Sequence, residues 1–163
     1  MNHLVQSKIS PTLPTLLATP FKLIPGKLHS KIMPVFLNKF LSQQITDGDL
    51  DFLENRHLSI KVTDTNTCYN LSFSNGRLID SANKNTRDAT IQASLYDFLR
   101  LAARQQDPDT LMFQRRLIMQ GDTELGLELK NFLDGLDLES NDSFNILKSL
   151  LEKSLPVYKR LFS

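Results

Sequence analysis

The chain has no tryptophan, one cysteine and, before Asp47, no acidic residue at all. A lone Cys68 cannot form an internal disulfide, which fits a reducing compartment, so a cytoplasmic location is expected. No apolar run approaches the roughly 18 residues that a membrane-spanning helix needs. The first residues lack the compact apolar core and small-residue cleavage site of a secretory signal. There is no G-x-S-x-G, Walker or Rossmann glycine motif. His3, His29 and His57 stand far apart, without metal-ligand spacing. No catalytic residue, metal or cofactor is therefore expected. Nucleic acid is not an expected partner either, because the basic residues fall in no recognisable binding motif.

What is present is an ordinary globular composition, 40% apolar and 23% charged over 163 residues. A chain of this length hides roughly 68–70% of its unfolded surface, enough for one proper core. The net charge of +1 conceals a split. Residues 1–46 carry Lys8, Lys22, Lys27, Lys31 and Lys39 and no acid, hence +5; the remainder has 14 basic against 18 acidic residues, hence −4. A split of this kind points to an anionic partner for the first segment. There Phe21, Leu23 and Ile24 interleave with Lys22, Lys27 and Lys31, the mixture that lies in a membrane interface. Residues 1–29 are read as a basic, Pro-rich membrane-docking segment. The competing reading is a merely solvated basic face.

The hydrophobic period changes along the chain. Five of seven prolines precede residue 35 and break up regular structure there. A helix is expected from Ser30 to Thr46, with Pro34 in its first turn and Ile32, Phe36, Leu37, Phe40 and Leu41 on one stripe. Around Leu58, Ile60 and Val62 the period becomes two. Tyr69, Leu71 and Phe73 alternate into Asn75-Gly76, the favoured pair for a type I′ hairpin, and 77–81 returns. Residues 89–94 make a fourth strand. Ser94 and Asp97 form a partial capping box for a helix with Leu95, Phe98, Leu99 and Ala102 on its buried stripe. Pro108 keeps Asp107 out of the helix, and 108–113 is a helical turn. "RRLIMQG" reads as a fifth strand, apolar on both faces and so central in the sheet. Asp122 caps a last regular helix striped by Leu125, Leu129, Phe132, Leu133 and Leu136, with Leu127 off the stripe. Residues 139–163 form an amphipathic tail interrupted by Pro156.

The run "LYDFLRLAARQQDPDTLMFQRRLIMQGDTELGLELKNFLD" resembles the C-terminal half of a sterol-carrier-protein type-two domain. "QDPDTLMFQRRL", "GDTELGLELKN" and "DGDLDFLENRHLSIKV" resemble one bacterial branch of it, the ubiquinone-biosynthesis accessory factors of the UbiT branch. Arg115-Arg116 stands where the general family has Gly-Lys, which favours the branch. The resemblance implies an α+β fold over 30–138: a five-stranded, mostly antiparallel sheet covered by helices that enclose an apolar tunnel. It implies a non-enzymatic accessory factor in ubiquinone biosynthesis by the oxygen-independent route, working beside the iron–sulfur hydroxylation pair of that pathway. The implied ligand is an isoprenoid quinone or a polyprenylated precursor. The residues expected to line the tunnel are Phe98, Leu111, Met112, Phe113, Ile118, Met119, Leu125, Leu129, Phe132, Leu133 and Leu136.

Periodicity alone does not require a tunnel. A stripe such as Leu125–Leu136 packs an ordinary core in most surface helices. A protein-interaction adaptor with a filled core, scaffolding enzymes at the inner face of the membrane, is the alternative, and a hidden lipid hydrolase a third. Arg115 and Arg116 would point to opposite faces of a strand. They could meet phosphate, a quinone oxygen or a partner's carboxylate, or else pair with Asp107 or Asp109.

Overall fold

The computed structural model describes residues 26–81 and 87–136, with Asn145 and Ser149 in helical conformation. Phe21, Lys22, Leu23 and Ile24, the side chain of Lys27, and the expected stripe of the tail lie outside the described residues. The elements run α1 (Gly26–Phe40), α2 (Ser42–Asp47), a 3-10 turn (Asp51–Leu53), β1 (His57–Val62), β2 (Thr67–Ser74), β3 (Arg77–Asp80), β4 (Ala89–Ala93), α3 (Leu95–Ala102), α4 (Pro108–Phe113), β5 (Ile118–Gly121) and α5 (Thr123–Gly135).

The strands form one sheet in the order β3-β2-β1-β4-β5. Of the strand pairs among the described residues, only β1–β4 is parallel; β1–β2, β2–β3 and β4–β5 are antiparallel. The β2–β3 hairpin turns on Asn75 and Gly76, with φ of 52° and 68°, the left-handed pair that a type I′ turn demands. Register sorts the side chains by face. Leu58 opposes Leu71, Ile60 opposes Tyr69, and Ile91 opposes Met119, all on the face that carries the core. Ser59 opposes Asn70 and Gln92 opposes Ile118 on the other, polar face.

The structure differs from the sequence-based expectation at two elements. The fifth strand is an edge, not the centre. Its apolar run looked two-faced because Leu117 belongs to the preceding turn, where its N–H donates to the Leu111 carbonyl at 3.1 Å. Only Ile118 and Met119 then alternate across the sheet. The first helix begins at Gly26 and stops at Phe40, so Pro34 sits inside it rather than in its first turn. A separate short helix, α2, follows and ends at Gly48, whose φ of 83° is the left-handed conformation that terminates helices.

The remaining helix starts follow local chemistry. Ser94 Oγ accepts from the Asp97 N–H at 3.1 Å, Asp107 Oδ1 from Thr110 N at 2.7 Å, and Asp122 Oδ1 from Leu125 N at 2.9 Å. Each bond satisfies one donor that a helix leaves open at its start. Leu50, Leu53, Leu71, Phe73, Leu111, Leu117 and Leu125 form the deepest part of the core.

Candidate functional site: an apolar cavity between sheet and helices

A cavity of about 240 Å³ lies between the core face of the sheet and the helices. Its floor is Leu58, Ile60 and Val62 of β1, Leu71 of β2, Leu78 of β3 and Ile91 of β4. Its walls are Met33, Phe36, Leu37 and Phe40 of α1, Leu95, Phe98, Leu99, Leu101 and Ala102 of α3, and Leu129, Phe132 and Leu133 of α5. Leu41, Leu50, Leu53 and Leu136 complete it from the connections. Every lining side chain is apolar. Water gains no hydrogen-bond partner there, and apolar cavities of about 150 Å³ are known to stay dry and admit a benzene-sized guest. The available chemistry is hydrocarbon burial. The volume sits just below the roughly 300–1,000 Å³ of drug-sized ligand pockets, so it suits a segment of a long tail rather than all of it.

Of the residues expected to line the tunnel, Phe98, Leu129, Phe132, Leu133 and Leu136 are brought together on the wall. The other six are not. Leu111 and Leu125 are sealed into the core beside it, and Met112 and Met119 pack against that core. Ile118 is 37% exposed, because its place in the strand turns it to the polar face. Phe113 is 92% exposed, at the last position of the short α4. The sequence reading missed the α1 and strand contributions. The signal was there, in the stripe at Phe36, Leu37 and Phe40 and in the alternation at Leu58, Ile60 and Val62. What it lacked was the pairing of α1 with the sheet.

That pairing includes Asn38, whose side-chain amide binds both backbone groups of Leu78. Two further ties hold the walls. Arg104 Nη1 donates to the Leu136 carbonyl at 3.3 Å, joining the end of α3 to the end of α5. Phe52 meets Phe132 with ring centroids 6.1 Å apart.

The arginine pair precedes β5 instead of lying in it. Arg115 takes a φ of 57° and is exposed. Arg116 grips Asp97 rather than Asp107 or Asp109: its Nε donates to Asp97 Oδ2 at 3.3 Å and its Nη2 to Oδ1. Asp97 is fully buried and also accepts from the Ser94 hydroxyl at 3.0 Å. Burying a carboxylate is tolerable only with such partners. The clasp fixes the first turn of α3, next to Phe98. Asp109 pairs instead with Lys130 of α5 at 3.1 Å. Asp107 is exposed, and the Thr110 hydroxyl, then the Thr110 N–H, hold its carboxyl below the ordinary value.

Elsewhere, His57 Nδ1 lies 3.0 Å from Ser81 Oγ, but Asp88 accepts from the His57 backbone N–H and not from its ring. That arrangement lacks the oriented imidazole of a hydrolytic triad. Among the described residues no His, Cys, Asp and Glu cluster could hold a metal, and no helix is long and apolar enough to cross a membrane.

Residues 37–134 match the SCP-2 sterol transfer family. The chain is 44% identical over 135 residues to the ubiquinone biosynthesis accessory factor UbiT of Escherichia coli K12, covering 83% of this chain and 77% of that protein. The same values hold for UbiT of Escherichia coli O157:H7. Among solved structures, the UbiJ-SCP2 ubiquinone synthesis protein superposes with a TM-score of 0.54 at 24% identity, over 68% of this chain and 97% of that one. That likeness shows the fold: a five-stranded sheet with helices around a greasy interior. The chain belongs to the SCP-2 sterol transfer family and, within it, to the UbiT branch.

Proposed function

We propose that the chain is a non-enzymatic accessory factor in ubiquinone biosynthesis that holds the prenyl tail of a quinone or of its precursors in the cavity. The observation that carries this reading is the wall itself, 22 side chains without one polar group. The family membership and the name of the Escherichia coli relatives support it. Each buried methylene contributes about 0.8 kcal/mol. Ten tail carbons would offer roughly 8 kcal/mol before the costs of binding. A cavity of this size leaves the aromatic head and the rest of a long tail outside, open to an enzyme. On this reading the protein presents its lipid and does no chemistry on it. It serves the oxygen-independent route, beside the iron–sulfur hydroxylation proteins, from the cytoplasmic side of the membrane.

The experiment is organic-solvent extraction of the full chain purified from its own kind of cell, followed by mass spectrometry. A prenylated quinone or phenol is expected. A clean extract would favour the adaptor reading, for which exposed Phe113 is the supporting observation. Turnover of added lipid esters would overturn both in favour of a hydrolase.

A further inference from the structure

We propose that the β5 edge of the sheet pairs with the β5 edge of a second copy of this chain, antiparallel across a twofold axis, so that two five-stranded sheets run on as one. The two edges of the sheet are finished differently. At β3 the Asn38 side chain takes up both backbone groups of Leu78. At β5 no strand among the described residues lies beyond β4. The Asp122 N–H donates to the Asp88 carbonyl at 2.8 Å. Antiparallel ladders alternate, so Gln120 and Ile118 also turn their backbone groups to β4, while those of Met119 and Gly121 point away from the sheet. Natural edges are blunted by lysine, proline or a bulge. The β5 segment "IMQG" has no charge and no proline, and its register with β4 runs without a bulge. Lipid would leave such backbone groups unsatisfied, whereas an added strand satisfies them.

The charges around this edge select the strand that fits it. Arg115 stands three positions before β5 begins and Glu124 three positions after it ends. Both are exposed, and neither has an ion-pair partner among the described residues. With Met119 of one copy opposite the partner's Gly121, the basic end of each edge lies on the acidic end of the other, twice per dimer. A parallel copy would set Arg115 on Arg115. Twofold pairing of one patch with itself is the commonest symmetry of soluble oligomers. The turn that presents Arg115 is bonded in place: the Arg116 and Leu117 N–H groups both donate to the Leu111 carbonyl, at 2.8 and 3.1 Å. Phe113, Ile118 and Leu127 are 92%, 37% and 57% exposed on the three successive elements α4, β5 and α5, and supply apolar surface beside the seam. No residue of β5 lines the cavity, so the pairing leaves both cavities intact and stands apart from the proposed function.

The test is sedimentation equilibrium of the full chain over a range of concentrations, beside two charge-reversed variants. Wild type should pass from monomer to dimer. Arg115→Glu and Glu124→Arg should each weaken dimerisation about ten-fold or more, because the axis repeats every lost pair and every new repulsion. Mixed together, the two variants should form a heterodimer, since each then meets only opposite charge. Arg115→Glu combined with Glu124→Arg in one chain should dimerise like wild type. Hydrogen exchange of the wild-type chain decides even if a variant fails to fold. The Met119 and Gly121 amides should slow as concentration rises, while those of Ile118 and Gln120, bonded to β4, stay slow throughout. A chain that is monomeric at every concentration, a dimer indifferent to both reversals, or folded variants that do not associate on mixing would overturn the proposal. Met119 and Gly121 amides already slow in the dilute monomer would overturn it too, because another segment of the same chain would then occupy the edge. So would fast exchange at both positions in the dimer, which would put the interface elsewhere. Lipid recovered from a strictly monomeric chain would leave the proposed function standing and remove only the pairing.

Discussion

Asn38 finishes the edge of the sheet at Leu78: its Nδ2 donates to the Leu78 carbonyl at 2.7 Å and its Oδ1 accepts the Leu78 N–H at 2.9 Å. One side chain thus stands in for a neighbouring strand and ties the cavity's outer wall to its floor. Asn38→Ala leaves two backbone groups to find other partners and should cost about 1–3 kcal/mol in urea unfolding. Amide exchange at Leu78 should accelerate. Unchanged exchange would mean that α1 is held by packing alone.

The Asp97–Arg116 clasp should behave as a buried ion pair. Arg116→Met leaves a buried carboxylate with Ser94 as its one remaining side-chain partner among the described residues, and should cost about 3–5 kcal/mol. Adding Asp97→Leu should recover much of that loss, since well-packed apolar replacements of whole pairs are often neutral. Arg115→Ala, at an exposed neighbour, should stay within about 0.5 kcal/mol of wild type. Equal effects at positions 115 and 116 would show that the clasp is not what stabilises α3.

Two glycines should respond with opposite signs. A Cβ on Gly121 would sit 2.3 Å from the Asp88 carbonyl oxygen, at a φ of 113°. Gly121→Ala must therefore push β5 off β4 and should destabilise by well over about 1 kcal/mol. Gly126, inside α5, has nothing within 4 Å of the same position. Gly126→Ala should stabilise by about 0.5–1 kcal/mol. Thermal unfolding of both variants checks the pair.

Asp107 should titrate below 3.8, because the Thr110 hydroxyl donates to it at 2.6 Å and the Thr110 N–H at 2.7 Å. A depressed carboxylate stabilises the fold above its unfolded pKa, and the contribution fades as pH falls through the folded value. Carbon-detected NMR titration should find the low midpoint, and Thr110→Val should move it back upward. A midpoint at or above 3.8 in the wild-type chain would contradict the cap.

Locally encoded features were legible in the sequence. Asn75-Gly76, Ser94, Asp107 and Asp122 act through bonds to residues a few positions away, so their chemistry reads directly from neighbours. The family resemblance supplied the five-stranded, helix-covered fold. What failed was non-local. The sheet order that puts Ile118–Gly121 at an edge depends on β1 and β4 lying parallel, across a connection that no short pattern reveals. Arg116 reaches back 19 positions to Asp97, past the nearer acids. The cavity wall drew on α1, which packs on the sheet and bonds through Asn38 to Leu78, 40 positions on. Phe113 and Ile118 had the right chemistry for a wall and the wrong orientation, which only the turn before β5 decides.

The central claim is that the cavity takes a prenyl tail, and calorimetric titration of the full chain with a quinone carrying a short prenyl tail tests it most directly. Ala102 lines the cavity, so Ala102→Phe should fill part of it from α3. Saturable binding at a single site with a negative heat-capacity change is expected, and the filling variant should lose it while keeping its fold. Binding that is absent from wild type, or undiminished in a folded Ala102→Phe chain, would contradict the account.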